Sequence, residues 1–148
     1  MKELKVNFWE VWEDYDAIVC PTNQVVKING ALVMGGGLAK EFAERFPSLP
    51  FEWGKKHKEA TLPDILFTKL PKVKPYLVAF PTKQHWRQVS SLELIKRSMI
   101  ALNGYVDALE IKRVLLPRIG CGLGGLTWGQ VSQIIEPYLD DRYTIISK

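Results

Sequence analysis

The sequence predicts an α/β fold with a largely parallel or mixed central sheet and helices on both of its faces, and three observations lead there. Short β-rich runs alternate with segments of helical periodicity along the chain. AIVC (17–20), YLVAF (76–80) and RVLLP (113–117) carry few charges, as strands buried on both faces do. Each of these runs empties into a polar or glycine-rich segment, which is where α/β folds collect their chemistry.

Taken in order, LKVNF (4–8) and AIVC read as the first two strands. LAKEFAERF (38–46) reads as a helix; Met34, Leu38, Phe42 and Phe46 recur every four residues and are expected to be core contacts on one face. SLPFEWGKKHKEATLP (48–63), with its prolines and the basic cluster Lys55 to Lys58 around His57, is the least regular stretch and is expected to be a surface excursion. DILFTKL (64–70) and YLVAF follow as strands and SLELIKRSMIALNGYV (91–106) as a helix. RVLLP, a helix over WGQVSQIIEPYL (128–139) and a last strand YTIIS (143–147) complete the alternation.

A chain of 148 residues, 47% hydrophobic and 24% charged, fits one domain spanning 1–148 with an ordinary core. MKELKVNFWEVWED sets acidic residues among its apolar ones and lacks the uninterrupted apolar stretch of a secretion signal; no later run approaches membrane-spanning length. Two cysteines, Cys20 and Cys121, make neither a disulfide framework nor a zinc spacing. A cytoplasmic protein with no membrane contact, and a monomer, is expected. The net charge of +4 favours polyanionic partners, for which a phosphate-bearing ligand serves as well as nucleic acid.

Three segments follow the three apolar strands: PTNQ and then MGGGLA, PTKQHWR, and RIGCGLGGLTW. Glycines at 35–37 leave the backbone bare and free to take angles closed to other residues, directly before a helix whose free N–H groups and positive dipole end suit a phosphate. The glycines of 120–125 repeat that arrangement before a second helix, and two such loops form a clamp for an extended anion. The plain alternative is that each marks an ordinary strand-to-helix turn. Neither loop matches the P-loop or the dinucleotide fingerprint.

DAIVCPTN (16–23), ALVMGGGLAKEFAERFP (31–47), FPTKQHWR (80–87) and LPRIGCGLGGLTW (116–128) together resemble a macrodomain, the ADP-ribose-binding family. The resemblance implies a three-layer α/β/α fold with a central mixed, largely parallel sheet. The branch it is most similar to includes bacterial antitoxins that remove ADP-ribose from thymidine in DNA and a eukaryotic hydrolase acting on ADP-ribosylated glutamate. By this resemblance Asn23 holds the distal ribose, Gly35, Gly36, Gly37 and Leu38 form the first phosphate loop, and Gly120, Cys121, Gly122, Leu123, Gly124 and Gly125 form the second. Adenosine then lies toward the chain termini. Asn7 stands near the position from which an aspartate reads the adenine amino group in many relatives; an amide oxygen accepts the same bond without charge.

The resemblance also makes Lys83 the catalytic candidate. Beside the anomeric carbon its amine attacks the opened ribose, or its cation stabilises charge developing there. Attack needs a neutral amine, which burial or a neighbouring cation such as Arg87 favours. Alternatively Lys83 is a solvated loop lysine or a phosphate counter-charge. His85 has the chemistry of a general acid or base, or packs in its loop beside Trp86. Trp86 either stacks on a base or ribose or packs in the core or rim, and Arg87 and the cluster Lys55 to Lys58 offer contacts to nucleic-acid phosphate, the cluster's plain alternative being a solvated surface run. The acidic residue that the glutamate-directed relative carries in its second loop is replaced here by Gly124, so the form resembles the DNA-directed antitoxins. The expected function is ADP-ribose binding with hydrolysis of an ADP-ribosyl linkage on a macromolecule, nucleic acid included; the rivals are a non-catalytic reader and an ADP-ribose 1″-phosphate phosphatase. No metal or redox cofactor is implied; ADP-ribose enters as ligand or product.

Overall fold

In a computed structural model of the chain, residues 2–59 and 65–147 are described. Strands β1 (Lys2–Leu4), β2 (Ala17–Thr22), β3 (Leu66–Thr68), β4 (Tyr76–Pro81), β5 (Val114–Pro117) and β6 (Tyr143–Ile146) form one sheet in the order β1-β6-β5-β2-β4-β3. Every neighbouring pair is parallel except β3 with β4, so the sheet is mixed and largely parallel, as the alternation predicts.

Period-two alternation along each strand divides the core into two layers. Ile18 and Cys20 of β2, Leu77 and Ala79 of β4 and Leu115 of β5 face α1 (Phe8–Val11), α2 (Gly37–Arg45) and α3 (Leu49–Glu59), packing on Phe8, Phe42 and Trp53. Ala17, Val19, Val78, Phe80 and Leu116 face α4 (Leu92–Ala108) and α5 (Trp128–Ile135), meeting Ile95, Met99, Leu102 and Val131. Helices on both faces of one sheet make the three-layer α/β/α fold. No described helix is long and apolar enough to cross a membrane.

Two elements differ from the sequence expectation. The first strand ends at Leu4, because Asn7 caps α1: its Oδ1 accepts from Trp9 N at 2.9 Å, and Phe8 turns inward against Phe42. Segment 48–63 is not an excursion over its described part but helix α3. Leu49 and Trp53, one turn apart, are fully buried; Pro50 falls in the first turn, where a missing N–H costs nothing. Trp53 Nε1 donates to Thr68 Oγ1 and Lys56 Nζ to Phe67 O, so the basic face of α3 also ties the helix to β3. The run's last residues, 60–63, lie outside the described residues. Met34 is buried but precedes α2, while Phe46 caps it, so the four-residue spacing begins outside the helix.

Candidate active site

β2 lies between β5 and β4, and the loops leaving the carboxyl ends of these three parallel strands meet over a cleft of about 790 Å³. Thr22 and Asn23 come from the first loop, Thr82, Lys83 and Trp86 from the second, and Gly120 to Gly124 from the third. Gly35, Gly36, Gly37 and Leu38 close the remaining wall. Among the described lining residues the cations are Lys83 and Arg118, and no carboxylate is present.

The two glycine loops are built differently. Gly36 is extended and needs no special backbone freedom; of the three glycines at 35–37 only Gly37, at φ 57°, is left-handed. A side chain at 36 is excluded for another reason, since its Cβ would stand 2.9 Å from Leu123 Cδ1 of the opposite loop. Among the described residues no side chain caps α2, so its first turn, which lines the cleft, keeps uncapped N–H groups with the helix dipole behind them. The second loop does not repeat this arrangement. Its residues 122–124 coil into a 3-10 turn, and the N-terminus of α5 is closed by a capping box in which Thr127 accepts from Gln130 N and Gln130 accepts from Thr127 N. Of these two helices, only α2 leaves its N-terminus without a side-chain cap among the described residues.

Asn23 is 9% exposed, its Nδ2 donating to Val33 O and its Oδ1 accepting from Val25 N, both at 3.0 Å. Beyond these two bonds the amide of this cleft-lining residue has one further proton and one further lone pair. Lys83 Nζ lies 3.5 Å from Leu123 O, at the outer edge of hydrogen bonding, and among the described residues the amine has no stronger anchor. His85 is not part of the cleft wall: its Nδ1 accepts from Arg87 N and its ring stacks on Trp86. Gly125 stands just beyond the lining, left-handed at the end of the 3-10 turn. Asn7 belongs to a smaller adjoining pocket, with Phe8, Glu41, Arg118 and Ile146. Because its Oδ1 already accepts from Trp9 N, what Asn7 offers a ligand most freely is its amide donor.

Three features of the cleft and its side pocket escape the sequence reading. Ser90, in a pair of serines that reads as a helix cap, lines the cleft beside Lys83; Ser91 is the cap. Arg118 sits where the cleft meets the smaller pocket, its guanidinium 5.3 Å from the Trp128 ring and 3.6 Å from Glu3. Ser90 Oγ and Arg118 Nε are buried without a hydrogen-bond partner among the described residues, and both belong to this one cleft. The third is Glu41, whose carboxylate accepts from Trp9 Nε1 at the side pocket. Burial raises the Cys121 thiol above its ordinary pKa of 9.0, with Arg118 opposing, so this cleft cysteine is a poor thiolate near neutrality.

Residues 25–135, three quarters of the chain and nearly all of this wall, match the Macro domain family model. The chain belongs to the Macro domain family. Its relatives include the DNA ADP-ribosyl glycohydrolase of Thermus aquaticus, 31% identical over a 117-residue alignment that covers 76% of this chain and 32% of that protein. The chain thus spans about a third of the length of the bacterial glycohydrolases it matches. Among solved structures, the macrodomain of Mycobacterium tuberculosis DarG superposes with a TM-score of 0.83 at 29% identity, covering 99% of this chain and 95% of that one. Thermosipho africanus DarTG in complex with ADP-ribose gives 0.75 at 25% identity, covering 90% of this chain and 38% of that one.

Proposed function

We propose that this macrodomain binds ADP-ribose in the cleft and hydrolyses the bond joining it to a nucleic-acid base, with Lys83 as the catalytic residue. The observation that carries the reading is the cleft itself: two glycine loops, an uncapped helix end and two cations facing a volume without carboxylates. The relatives named as DNA ADP-ribosyl glycohydrolases, and the related structure titled as an ADP-ribose complex, support that choice of ligand and reaction.

In this reading the diphosphate lies between Gly35–Gly37 and Gly120–Gly124, taking hydrogen bonds from the α2 N-terminus. The distal ribose lies at the Asn23 and Lys83 end. Adenosine enters the side pocket of Asn7 and Glu41, where the Glu41 carboxylate supplies the acceptor for an amino group that the occupied Asn7 oxygen supplies less well. Hydrolysis breaks the bond between the anomeric carbon and the base; water contributes hydroxyl to the sugar and a proton to the base. Lys83 serves either by attacking the opened sugar as an amine or by holding developing negative charge as a cation. The free thiols of Cys20 and Cys121 suit a reducing cytoplasmic setting, and one chain supplies the whole cleft, so a monomer suffices.

The test is release of free ADP-ribose from thymidine-modified single-stranded DNA, run beside ADP-ribosylated glutamate protein and ADP-ribose 1″-phosphate. Wild type releases ADP-ribose from the DNA, and Lys83→Ala keeps its affinity while losing about 100-fold or more in rate. Lys83→Arg separates the roles: activity survives if charge is what matters and disappears if the amine attacks. Binding without any product makes the protein a reader, and inorganic phosphate from the small ester makes it a phosphatase. A fully active Lys83→Ala removes that residue from the mechanism.

A further inference from the structure

The loop that leaves β4 does more than deliver Lys83. Its two ends are stitched to the site, Gln84 O accepting from Gln24 N at 2.9 Å and Ser90 N donating to Gly124 O at 2.7 Å. Between them residues 85–88 are locked into a turn: His85 N donates to Gln88 Oε1, Gln88 N to His85 O and Arg87 N to His85 Nδ1. What this ordered turn presents to solvent is unusual for a loop. Trp86 is 45% exposed with the His85 ring stacked at 5.2 Å and the Arg87 guanidinium 4.6 Å from its centroid; Val89 is 64% exposed, and Leu123 beside Lys83 is 73% exposed. Trp86 itself reaches the cleft wall, so the surface is continuous with the site. Segments 65–92 and 111–135, which supply both loops at this end, contain no acidic residue.

We infer that this surface is the seat of a single-stranded nucleic acid, the nucleotide next to the modified one stacking on the His85–Trp86–Arg87 layer while Arg87 meets its phosphate. The inference rests on the proposed nucleic-acid substrate and says where the rest of that substrate goes. Aromatic rings with an adjacent cation, in acid-free surroundings, suit a strand whose bases are unpaired and whose backbone is anionic. A pre-ordered turn pays little entropy to receive it. A peptide carrier has neither a regular series of flat bases nor a uniform negative charge, so this surface selects against it.

The test uses the Lys83→Ala protein, which holds substrate without turnover, and measures affinity by calorimetry for ADP-ribosyl thymidine and for a single-stranded oligonucleotide carrying the same modification. The oligonucleotide binds roughly tenfold tighter; Trp86→Ala, at the cleft wall, weakens the oligonucleotide roughly tenfold more than it weakens the nucleoside, and Trp86→Phe restores most of that difference. Arg87→Ala lowers the slope of log affinity against log salt by about one for the oligonucleotide alone. No gain from the oligonucleotide, a Trp86→Ala loss equal for both ligands, or a Trp86-dependent gain on an ADP-ribosylated glutamate peptide instead each overturns the inference while the cleft assignment stands. Failure of ADP-ribosyl thymidine to bind at all overturns the proposed function, and this inference with it.

Discussion

Position 36 shows how little a glycine's importance has to do with backbone angles. Gly36 is extended, a conformation open to any residue, so neither alanine nor valine strains the chain there. The space is what matters, because a Cβ meets Leu123 Cδ1 at 2.9 Å, and Leu123, largely exposed, is free to swing away. Gly36→Ala is therefore tolerated by the fold, whereas the extra methyls of Gly36→Val fill the channel between the loops. The expected outcome is an unchanged melting temperature with ADP-ribose affinity reduced about tenfold or more, read by calorimetry beside a thermal scan. An unchanged affinity moves the diphosphate elsewhere. Gly124 carries the complementary lesson: a Cβ there stands 2.5 Å from Ser90 Oγ, so the serine hydroxyl occupies the space that any side chain at 124 requires.

Among elements, the contrast between α2 and α5 decides which helix end is left open beside the cleft. Both follow glycine-rich loops and look alike in sequence, yet Thr127 and Gln130 satisfy the N-terminus of α5, whereas no described side chain caps α2. Removing the threonine should cost stability without touching function. Thr127→Ala is expected to lower unfolding free energy by about 1 kcal/mol and leave ADP-ribose affinity unchanged, measured by denaturant titration and calorimetry. A loss of affinity with no loss of stability would mean that α5, too, points at the ligand. Helix α3 is the element the sequence conceals: its surface is basic and its mean pattern weakly periodic, but Leu49 and Trp53 bury completely against the sheet. Two anchoring residues one turn apart suffice when the surrounding layer supplies the rest of the core.

Across the whole molecule, the last strand is secured by charge as well as by the sheet. Arg142, just before β6, pairs with Asp140 at 2.7 Å and with Asp107 at the end of α4 at 2.6 Å, while Tyr143 donates to Asn103. The hydrogen bond from the Arg142 side chain holds the Asp140 carboxyl below its ordinary pKa of 3.8. A carboxylate whose folded pKa lies below its unfolded value contributes stability above the unfolded value, and that contribution fades as the pH falls through the folded one. Asp140→Asn should accordingly lower the melting temperature at pH 7 by a few degrees or less, since the Asp140 carboxylate is about half exposed to solvent, and the difference should vanish in strong acid. A difference that persists there would assign the effect to hydrogen bonding independent of charge.

The sequence by itself determined the layer order, the single largely parallel sheet and the identity of the loops that meet, because buried strands announce themselves by uninterrupted apolar runs and the loops after them by glycine. The glycines of both loops were legible for the same reason, local pattern being enough to place a residue after a given strand, whereas Asn23 and Lys83 were singled out by the resemblance to macrodomains. Tertiary structure alone decided that Ser90 and Arg118 line the cleft, that Thr127 withdraws the second helix end, that His85 stacks outside the wall and that Asn7 caps a helix with its oxygen. Each of these depends on a partner far away in space or on the direction of one side chain. Neither quantity is carried by periodicity, so only the folded chain fixes which polar groups are spent on the protein and which remain for a ligand.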